Sequence, residues 1–152
     1  MSANPGSLRG EPAFVVLHVE DDEQLAASMA QLLRAEGFEA VTAPDGASAL
    51  ELIGQGSWIP DVLIVDVNLP GEMDGADVAQ EICHALGHVV PTIFLSAQLS
   101  NVGLPWLPGA PLLFASKPMD AELLVRLVQS FAGLGRFMRA HAHRSSARHA
   151  AR

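Results

Sequence analysis

The sequence predicts an α/β domain built around a parallel β-sheet. Five short apolar runs, each long enough for one strand, alternate with segments whose apolar residues recur at helical spacing. Short parallel strands need crossover connections, usually helices, so this alternation favours a parallel sheet. Right-handed crossovers on both faces of the sheet then give a doubly wound arrangement. A chain of 152 residues is long enough for one such domain.

Each strand is predicted from a run of apolar residues that ends at a turn former or a polar residue. The five runs span 14–19, 38–43, 62–67, 89–95 and 112–115. The third run is continuously apolar apart from Asp66 near its end. This pattern is typical of a central strand that is covered on both faces of the sheet.

Helices are predicted between the strands and after the last one. The first helix has Leu25 and Met29 on one face and ends at Gly37. The last helix begins at Asp120, and its expected buried face consists of Leu123, Leu127, Val128 and Phe131. The fourth connection, residues 97–111, is rich in Gly and Pro, so its helix is expected to be short or irregular.

Charge divides the chain into an acidic body and a basic end. All 17 acidic residues lie between Glu11 and Glu122, and from residue 131 onward there are five arginines and no acid. We expect residues 1–12 to be disordered, residues 13–131 to fold, and residues 132–152 to form a flexible Ala/Arg/His-rich tail. The body is too acidic for nucleic acid, whereas the tail suits a polyanion or the body itself.

No apolar run approaches the roughly 20 residues of a membrane span, and the N-terminus lacks the apolar segment of a secretory signal. We therefore expect a cytoplasmic protein that does not contact a membrane. The 21 residues after Phe131 are too few and too polar for a helix-turn-helix core, so direct DNA binding is not expected.

Polar side chains follow four of the predicted strands. These are Glu20 and Asp21, Asp66, Ser96, and Lys117, the only lysine in the chain. Because the carboxyl ends of parallel strands lie along one edge, these side chains are predicted to share one pocket. Clustered carboxylates repel one another, and a hard divalent cation with oxygen ligands, Mg²⁺ where a phosphate also binds, relieves that repulsion. Ser96 would add a hydroxyl donor and Lys117 a positive charge for an anion.

These residues resemble the receiver domain of bacterial two-component response regulators. The resemblance covers residues 14–131 and rests on five motifs in order: Glu20-Asp21, Asp66, Leu69-Pro70 with Met73-Asp74-Gly75, Ser96-Ala97 and Lys117-Pro118. It implies a flavodoxin-like (βα)5 domain with strand order 2-1-3-4-5. It also implies a phosphoacceptor that assists its own phosphorylation and dephosphorylation, and not an enzyme with a separate substrate. Because the residues after Phe131 cannot form a DNA-binding domain, we expect a stand-alone receiver.

The resemblance assigns a role to each pocket residue. Asp66 would accept a phosphoryl group from a histidine kinase or a histidine phosphotransfer protein. The metal ligands would be Glu20, Asp21, Asp66 and the backbone carbonyl of Asn68, and Lys117 would neutralise charge in the transition state. Ser96 and Phe114 match the switch pair of the family, and Asn68 and Gln98 match positions that tune self-dephosphorylation.

Two other functions are also compatible with the sequence. A degenerate receiver would bind a partner constitutively, and the altered segment 97–111, part of the surface that most receivers use for dimerisation and output, favours it. An aspartyl-nucleophile phosphatase would need a second Asp where Asn68 stands. The downstream target is expected to be a protein, and a homodimer is open.

Overall fold

The structure is a computed structural model that describes residues 11–98 and 109–150, with side chains as far as residue 142. Its strands are β1 (Val15–Val19), β2 (Glu39–Ala43), β3 (Val62–Asp66), β4 (Thr92–Ser96) and β5 (Leu112–Ser116). They form one parallel sheet in the order β2-β1-β3-β4-β5. The predicted doubly wound, flavodoxin-like architecture and its strand order are therefore confirmed.

Four helices are present in the described residues: α1 (Glu23–Ala35), α2 (Gly46–Gly54), α3 (Gly75–Leu86) and α4 (Ala121–Ala150). The side chains of Asp22, Asp45 and Asp74 cap the first three helices by accepting backbone N–H bonds. At the end of α3, Gly87 adopts a left-handed conformation with φ 75°, which glycine tolerates without a steric penalty. No described helix has both the length and the apolar character needed to cross a bilayer.

The core lies in two layers, one on each face of the sheet. One layer contains Val16 and Ile64 with residues of α1 and α4, and the other contains Leu17 and Val65 with residues of α2 and α3. Neighbouring strand residues therefore point to opposite layers, as the pleat requires. All five residues of β3 are buried, as its continuous apolar run predicts.

The buried face of the last helix is predicted correctly at three of four positions. Val128 is fully buried, and Leu127 and Phe131 are half-buried against the core. Leu123, which was predicted to be buried, is 49% exposed, and Leu124 and Ala132 are buried instead. The fourth predicted helix falls mainly on residues 99–108, which lie outside the described residues.

The helix also differs from its prediction in length. Residues 132–150 were predicted to be a flexible tail, but α4 continues through them to Ala150 without a break at 131. Tertiary contacts stabilise the helix beyond residue 131, as far as Arg139. A Cβ at Gly135 would overlap the carbonyl oxygen of Asp61, so only glycine lets the helix approach this closely. Arg136 and Arg139 then bind the Asp61 side chain, at N–O distances of 3.1 and 3.2 Å.

Candidate functional site

The polar strand ends meet at the carboxyl edge of the sheet. Glu20 follows β1 directly, Asp66 and Ser96 are the last residues of β3 and β4, and Lys117 follows β5 directly. The backbone extends the strand pairing at this edge: the Glu20 N–H donates to the Ala43 carbonyl at 2.9 Å. The Lys117 N–H donates to the Ser96 carbonyl at 2.8 Å. The sheet therefore fixes the spacing of these side chains.

Lys117 joins the two most buried acids of the pocket. Its Nζ donates to Glu20 Oε2 at 2.8 Å and to Asp66 Oδ2 at 3.0 Å. Glu20 is 3% exposed and Asp66 7% exposed, so both carboxylates depend on protein partners for compensation of their charge. The other oxygen of Asp66, Oδ1, accepts a bond of 2.9 Å from the Asn68 N–H. Both oxygens of the Asp66 carboxylate are thereby held in a defined orientation.

The ionisation of the pocket reflects this close contact. Burial raises the pKa of Glu20 against the opposing effect of the Lys117 hydrogen bond, and the negative charge of Asp66 adds to the increase. Burial acts to lower the pKa of Lys117, but its bonds to Glu20 and Asp66 outweigh that effect and raise the pKa. Lys117 is therefore positively charged at neutral pH, and its single charge faces the carboxylates of Glu20 and Asp66.

The pocket has the composition of a site for a hard divalent cation. Carboxylate oxygens of Glu20, Asp21 and Asp66 all lie within 4.8 Å of one another, and Asp21 is exposed to solvent. All three donors are oxygens, which Mg²⁺ prefers, and the exposed Asp21 leaves room for the waters that Mg²⁺ retains. These residues fit the predicted ion. The predicted fourth ligand, the Asn68 carbonyl, belongs to the residue whose N–H holds Asp66.

The loop after Asp66 is held by a close approach of α3. A Cβ at Gly75 would overlap the backbone carbonyl oxygen of Asp66 and lie 2.9 Å from Val67 Cα. Asp74 caps the helix through the N–H of Asp77, whose side chain bonds back to the Asp74 N–H. The Met73-Asp74-Gly75 motif therefore fixes the backbone on which Asp66 is carried.

The two predicted switch residues are present but are engaged elsewhere. The Ser96 hydroxyl donates to the Gln98 carbonyl at 2.8 Å and accepts from the Gln98 N–H at 3.1 Å. Phe114 stacks on Phe94 in the neighbouring strand, with ring centroids 5.0 Å apart. Their roles stay predictions, as do those of the exposed Asn68 and Gln98 side chains.

His18 lies in β1, two residues before Glu20, and is 1% exposed. Burial and the positive charge of Lys117 lower the pKa of His18 to about 4, so the ring is neutral at physiological pH. Within the described residues, neither ring nitrogen has a hydrogen-bond partner.

Asp61 is the charged residue that the sequence did not single out. It begins the segment that leads into β3, at the opposite edge of the sheet from Asp66, and is 1% exposed. Its Oδ2 accepts from the Val15 N–H at 2.9 Å and from Arg136 at 3.1 Å. The sequence does contain a signal for this contact. Asp61 lies just before a buried strand, and Arg136 and Arg139 are three residues apart in the last helix. Asp61 fixes α4 and takes no part in the pocket.

A model of a known protein family matches the part of the chain that contains all the pocket residues. The family model described as "Response regulator receiver domain" matches residues 16–129, which is most of the chain. The chain belongs to the response regulator receiver family. The predicted resemblance is confirmed, and the matched range contains Glu20, Asp21, Asp66, Ser96 and Lys117.

This receiver domain is similar to parts of longer regulators. It is 43% identical over 88 residues to the sensory transduction protein RegX3 of Mycolicibacterium smegmatis, an alignment that covers 57% of this chain and 36% of that protein. It is 40% identical over 85 residues to the transcriptional regulatory protein PrrA of Mycobacterium tuberculosis, covering 56% of this chain and 35% of that protein. The chain thus spans about a third of the length of the curated relatives it matches.

Solved structures agree on the fold of this receiver domain. A CheY-like response regulator receiver domain protein from Methanospirillum hungatei aligns with a TM-score of 0.68 and 26% identity, over 80% of this chain and 96% of that one. The receiver domain of the hybrid histidine kinase CckA aligns with a TM-score of 0.63 and 30% identity, over 78% of this chain and 98% of that one.

Proposed function

We propose that this receiver domain is phosphorylated on Asp66 and signals through protein contacts that depend on the phosphoryl group. The observation that carries the proposal is the position of Lys117, which bonds both Asp66 and Glu20 while the carboxylates of Glu20, Asp21 and Asp66 cluster within 4.8 Å. Four residues from three separate parts of the chain would thus provide a nucleophile, a cation and an oxygen-rich metal site.

The donor would be the phosphohistidine of a histidine kinase or of a histidine phosphotransfer protein. An oxygen of the Asp66 carboxylate forms the new O–P bond while the P–N bond to the donor histidine breaks, so the phosphoryl group moves in line between the two. The Asn68 N–H and Lys117 hold the carboxylate for this attack. Lys117 also stabilises the negative charge that is shared over the phosphoryl oxygens.

Glu20, Asp21, Asp66 and the Asn68 carbonyl would hold Mg²⁺. When bound, Mg²⁺ supplies positive charge that compensates the clustered carboxylates and the incoming phosphoryl group. The chain's own contribution is orientation: the sheet edge and the Gly75 contact set where these oxygens lie. With these residues the domain would be a phosphoacceptor that assists its own modification.

The signal would leave the pocket through Ser96 and Phe114. Phosphorylation adds about −1.5 to −2 charges to Asp66 and three acceptor oxygens. The Ser96 hydroxyl would then exchange its two bonds with Gln98 for a bond to a phosphoryl oxygen, which moves the 96–98 backbone. Phe114, stacked on Phe94, would adjust to the space that Ser96 vacates. Asn68 and Gln98 would orient water for ordinary self-dephosphorylation.

The proposal is tested by weighing the intact protein after incubation with Mg²⁺ and phosphoramidate or acetyl phosphate. We expect a mass gain of one phosphoryl group that Asp66→Asn abolishes and that Glu72→Gln, which changes an exposed acid in the same loop, leaves intact. The absence of any gain with a folded protein would favour a constitutive binding module instead.

A further inference from the structure

Most of the large apolar side chains that are exposed lie at the amino edge of the sheet, where the strands begin. Among the described residues, the exposed large hydrophobics are Ile59, Leu123, Leu134 and Phe137. Leu123 lies in the first turn of α4, near the carboxyl edge. Ile59 comes two residues before Asp61, and Leu134 and Phe137 lie in the part of α4 that contacts Asp61. Single exposed hydrophobics are normal, so three at one edge are a candidate interaction site.

The two apolar residues of α4 begin a stripe that the sequence continues with basic residues. Spacings of three and four residues place positions 134, 137, 141, 144 and 148 along one side of the helix. Leu134 and Phe137 are 39% and 61% exposed, His141 is exposed, and Arg144 and Arg148 follow in the sequence. We define the distal stripe of α4 as these five residues. It combines apolar and positively charged residues on one side of a helix.

The distal stripe belongs to a helix that the body holds from another side. Arg136 and Arg139 bind Asp61, at N–O distances of 3.1 and 3.2 Å, and Arg136 lies over the Phe14 ring at 4.3 Å from its centroid. A groove of about 440 Å³ is lined by Phe137 and by residues 87–89, which leaves the Phe137 ring accessible. A preorganised helix loses little conformational freedom on binding, so this part of α4 presents a ready surface.

Charge is divided between the two edges of the domain. The stretches 20–23, 45, 66–77 and 120–122, all at the carboxyl edge, hold most of the 17 acidic residues. The sequence from residue 131 onward has five arginines and no acid. Near a negatively charged surface, this division turns the end of α4 towards the surface and the acidic edge away from it. The resulting tilt lifts Leu123 from the surface, because it lies about 16 Å before Leu134 along the helix.

We infer that the distal stripe of α4 binds the surface of a membrane that contains anionic phospholipids. A basic amphipathic helix binds such a surface by placing apolar side chains among the headgroups and arginines against the lipid phosphates. Leu134 and Phe137 supply the apolar part, and Arg144 and Arg148 supply positive charge. A nucleic acid would use its phosphates to bind the arginines and would leave both apolar side chains in water, so the stripe favours a lipid surface.

Binding of this kind stays in the headgroup region. The sequence-based expectation that the protein does not contact a membrane concerned spanning segments, which surface binding does not require. In the bound orientation the pocket at the carboxyl edge faces away from the lipid. Membrane binding therefore leaves Asp66 open to a phosphoryl donor, and its test does not depend on phosphorylation.

The test is cosedimentation of the full chain with lipid vesicles at low salt. We expect binding to vesicles of phosphatidylcholine with about one third phosphatidylglycerol, and binding weaker by about 10-fold or more to phosphatidylcholine alone. Arg144→Gln/Arg148→Gln should weaken binding to the mixed vesicles by about 10-fold or more. The matched control is Arg126→Gln, which removes an exposed arginine of the same helix near the carboxyl edge and should change binding little.

The apolar part of the stripe is tested without a change of charge. Leu134→Ser/Phe137→Ser should also weaken binding by about 10-fold or more, whereas Leu123→Ser, at the other end of α4, should not. All three sites are exposed, so unchanged circular dichroism spectra show that the variants fold. Failure of the unmodified chain to bind the mixed vesicles would overturn the inference. Tighter binding to duplex DNA than to vesicles, unaffected by Leu134→Ser/Phe137→Ser, would also overturn it and would identify a nucleic acid as the partner.

Discussion

Replacing Asp61 by Asn should destabilise this receiver domain, although Asp61 is remote from the pocket. Its carboxylate is 1% exposed, accepts hydrogen bonds from the Val15 N–H and Arg136, and forms an ion pair with Arg139. Asn has nearly the same volume and retains an oxygen for the Val15 N–H, but it removes the negative charge that compensates two guanidinium groups. The substitution therefore isolates the ion pairs from the packing.

The magnitude follows from the burial of the partners. Removing one member of a buried ion pair costs about 3–5 kcal/mol, because the other charge stays buried and unpaired. Here the two arginine side chains are 24% and 21% exposed, so water can hydrate part of the freed charge. We therefore expect a loss of about 2–3 kcal/mol in the free energy of unfolding. For a chain of this length that corresponds to a melting temperature lower by about 4–12 °C.

Urea unfolding followed by circular dichroism measures this loss. The control is Glu122→Gln, which breaks an ion pair with Arg126 whose side chains are both more than 70% exposed, and which should cost no more than about 0.5 kcal/mol. An Asp61→Asn variant that unfolds within about 0.5 kcal/mol of the unmodified chain would refute the reasoning. It would show that α4 is held by packing alone.

Three further predictions concern Gly135, Lys117 and Asp45. Gly135→Ala should lower the free energy of unfolding in urea by about 1–3 kcal/mol, because its Cβ would overlap the Asp61 carbonyl. The control Gly133→Ala, whose Cβ would lie 3.9 Å from Phe14, should be neutral or stabilising. Equal effects of the two substitutions would contradict the close contact at Gly135. Lys117→Met should slow phosphorylation of Asp66 by small donors about 100-fold or more, and a rate within a few-fold of the unmodified rate would exclude Lys117 from transition-state stabilisation. The hydrogen bond from the Ser48 N–H lowers the pKa of Asp45 in the folded state below its ordinary value of 3.8. The charged cap therefore stabilises the fold fully above pH 3.8, and this stabilisation is lost as the pH falls through the lower, folded-state pKa. Asp45→Ala should accordingly cost about 0.5–1 kcal/mol at pH 7 and progressively less in acid, and a pH-independent difference would show that the charge is not involved.

The strand ends could be predicted because they follow from local patterns. Each strand is a short apolar run with a polar terminus, and parallel pairing alone brings Glu20, Asp66 and Lys117 to one edge. The contact of Gly75 with the Asp66 backbone lies within the loop that joins β3 to α3, so it is also local in sequence. The sequence alone was therefore enough to predict the sheet and the residues of the pocket.

The exposure of Leu123 and the length of α4 could not be predicted in the same way. The helix has two apolar stripes, one through Leu124 and Val128 and one through Leu123 and Leu134, and spacing alone does not tell which faces the core. Residues 132–150 contain Gly133 and Gly135 and end in an Ala/Arg/His/Ser-rich stretch, which predicts a flexible end. Contacts of Gly135, Arg136 and Arg139 with Asp61, more than 70 residues earlier, stabilise the helix there, and such tertiary contacts override local propensity.

The central claim is that Asp66 carries the phosphoryl group. After phosphorylation by phosphoramidate with Mg²⁺, borohydride reduction converts an aspartyl phosphate to homoserine, which peptide mass mapping locates. Homoserine at position 66, lost when Mg²⁺ is chelated, is the predicted result. Modification at any other acid, or a phosphoryl group that survives in Asp66→Asn, would contradict it.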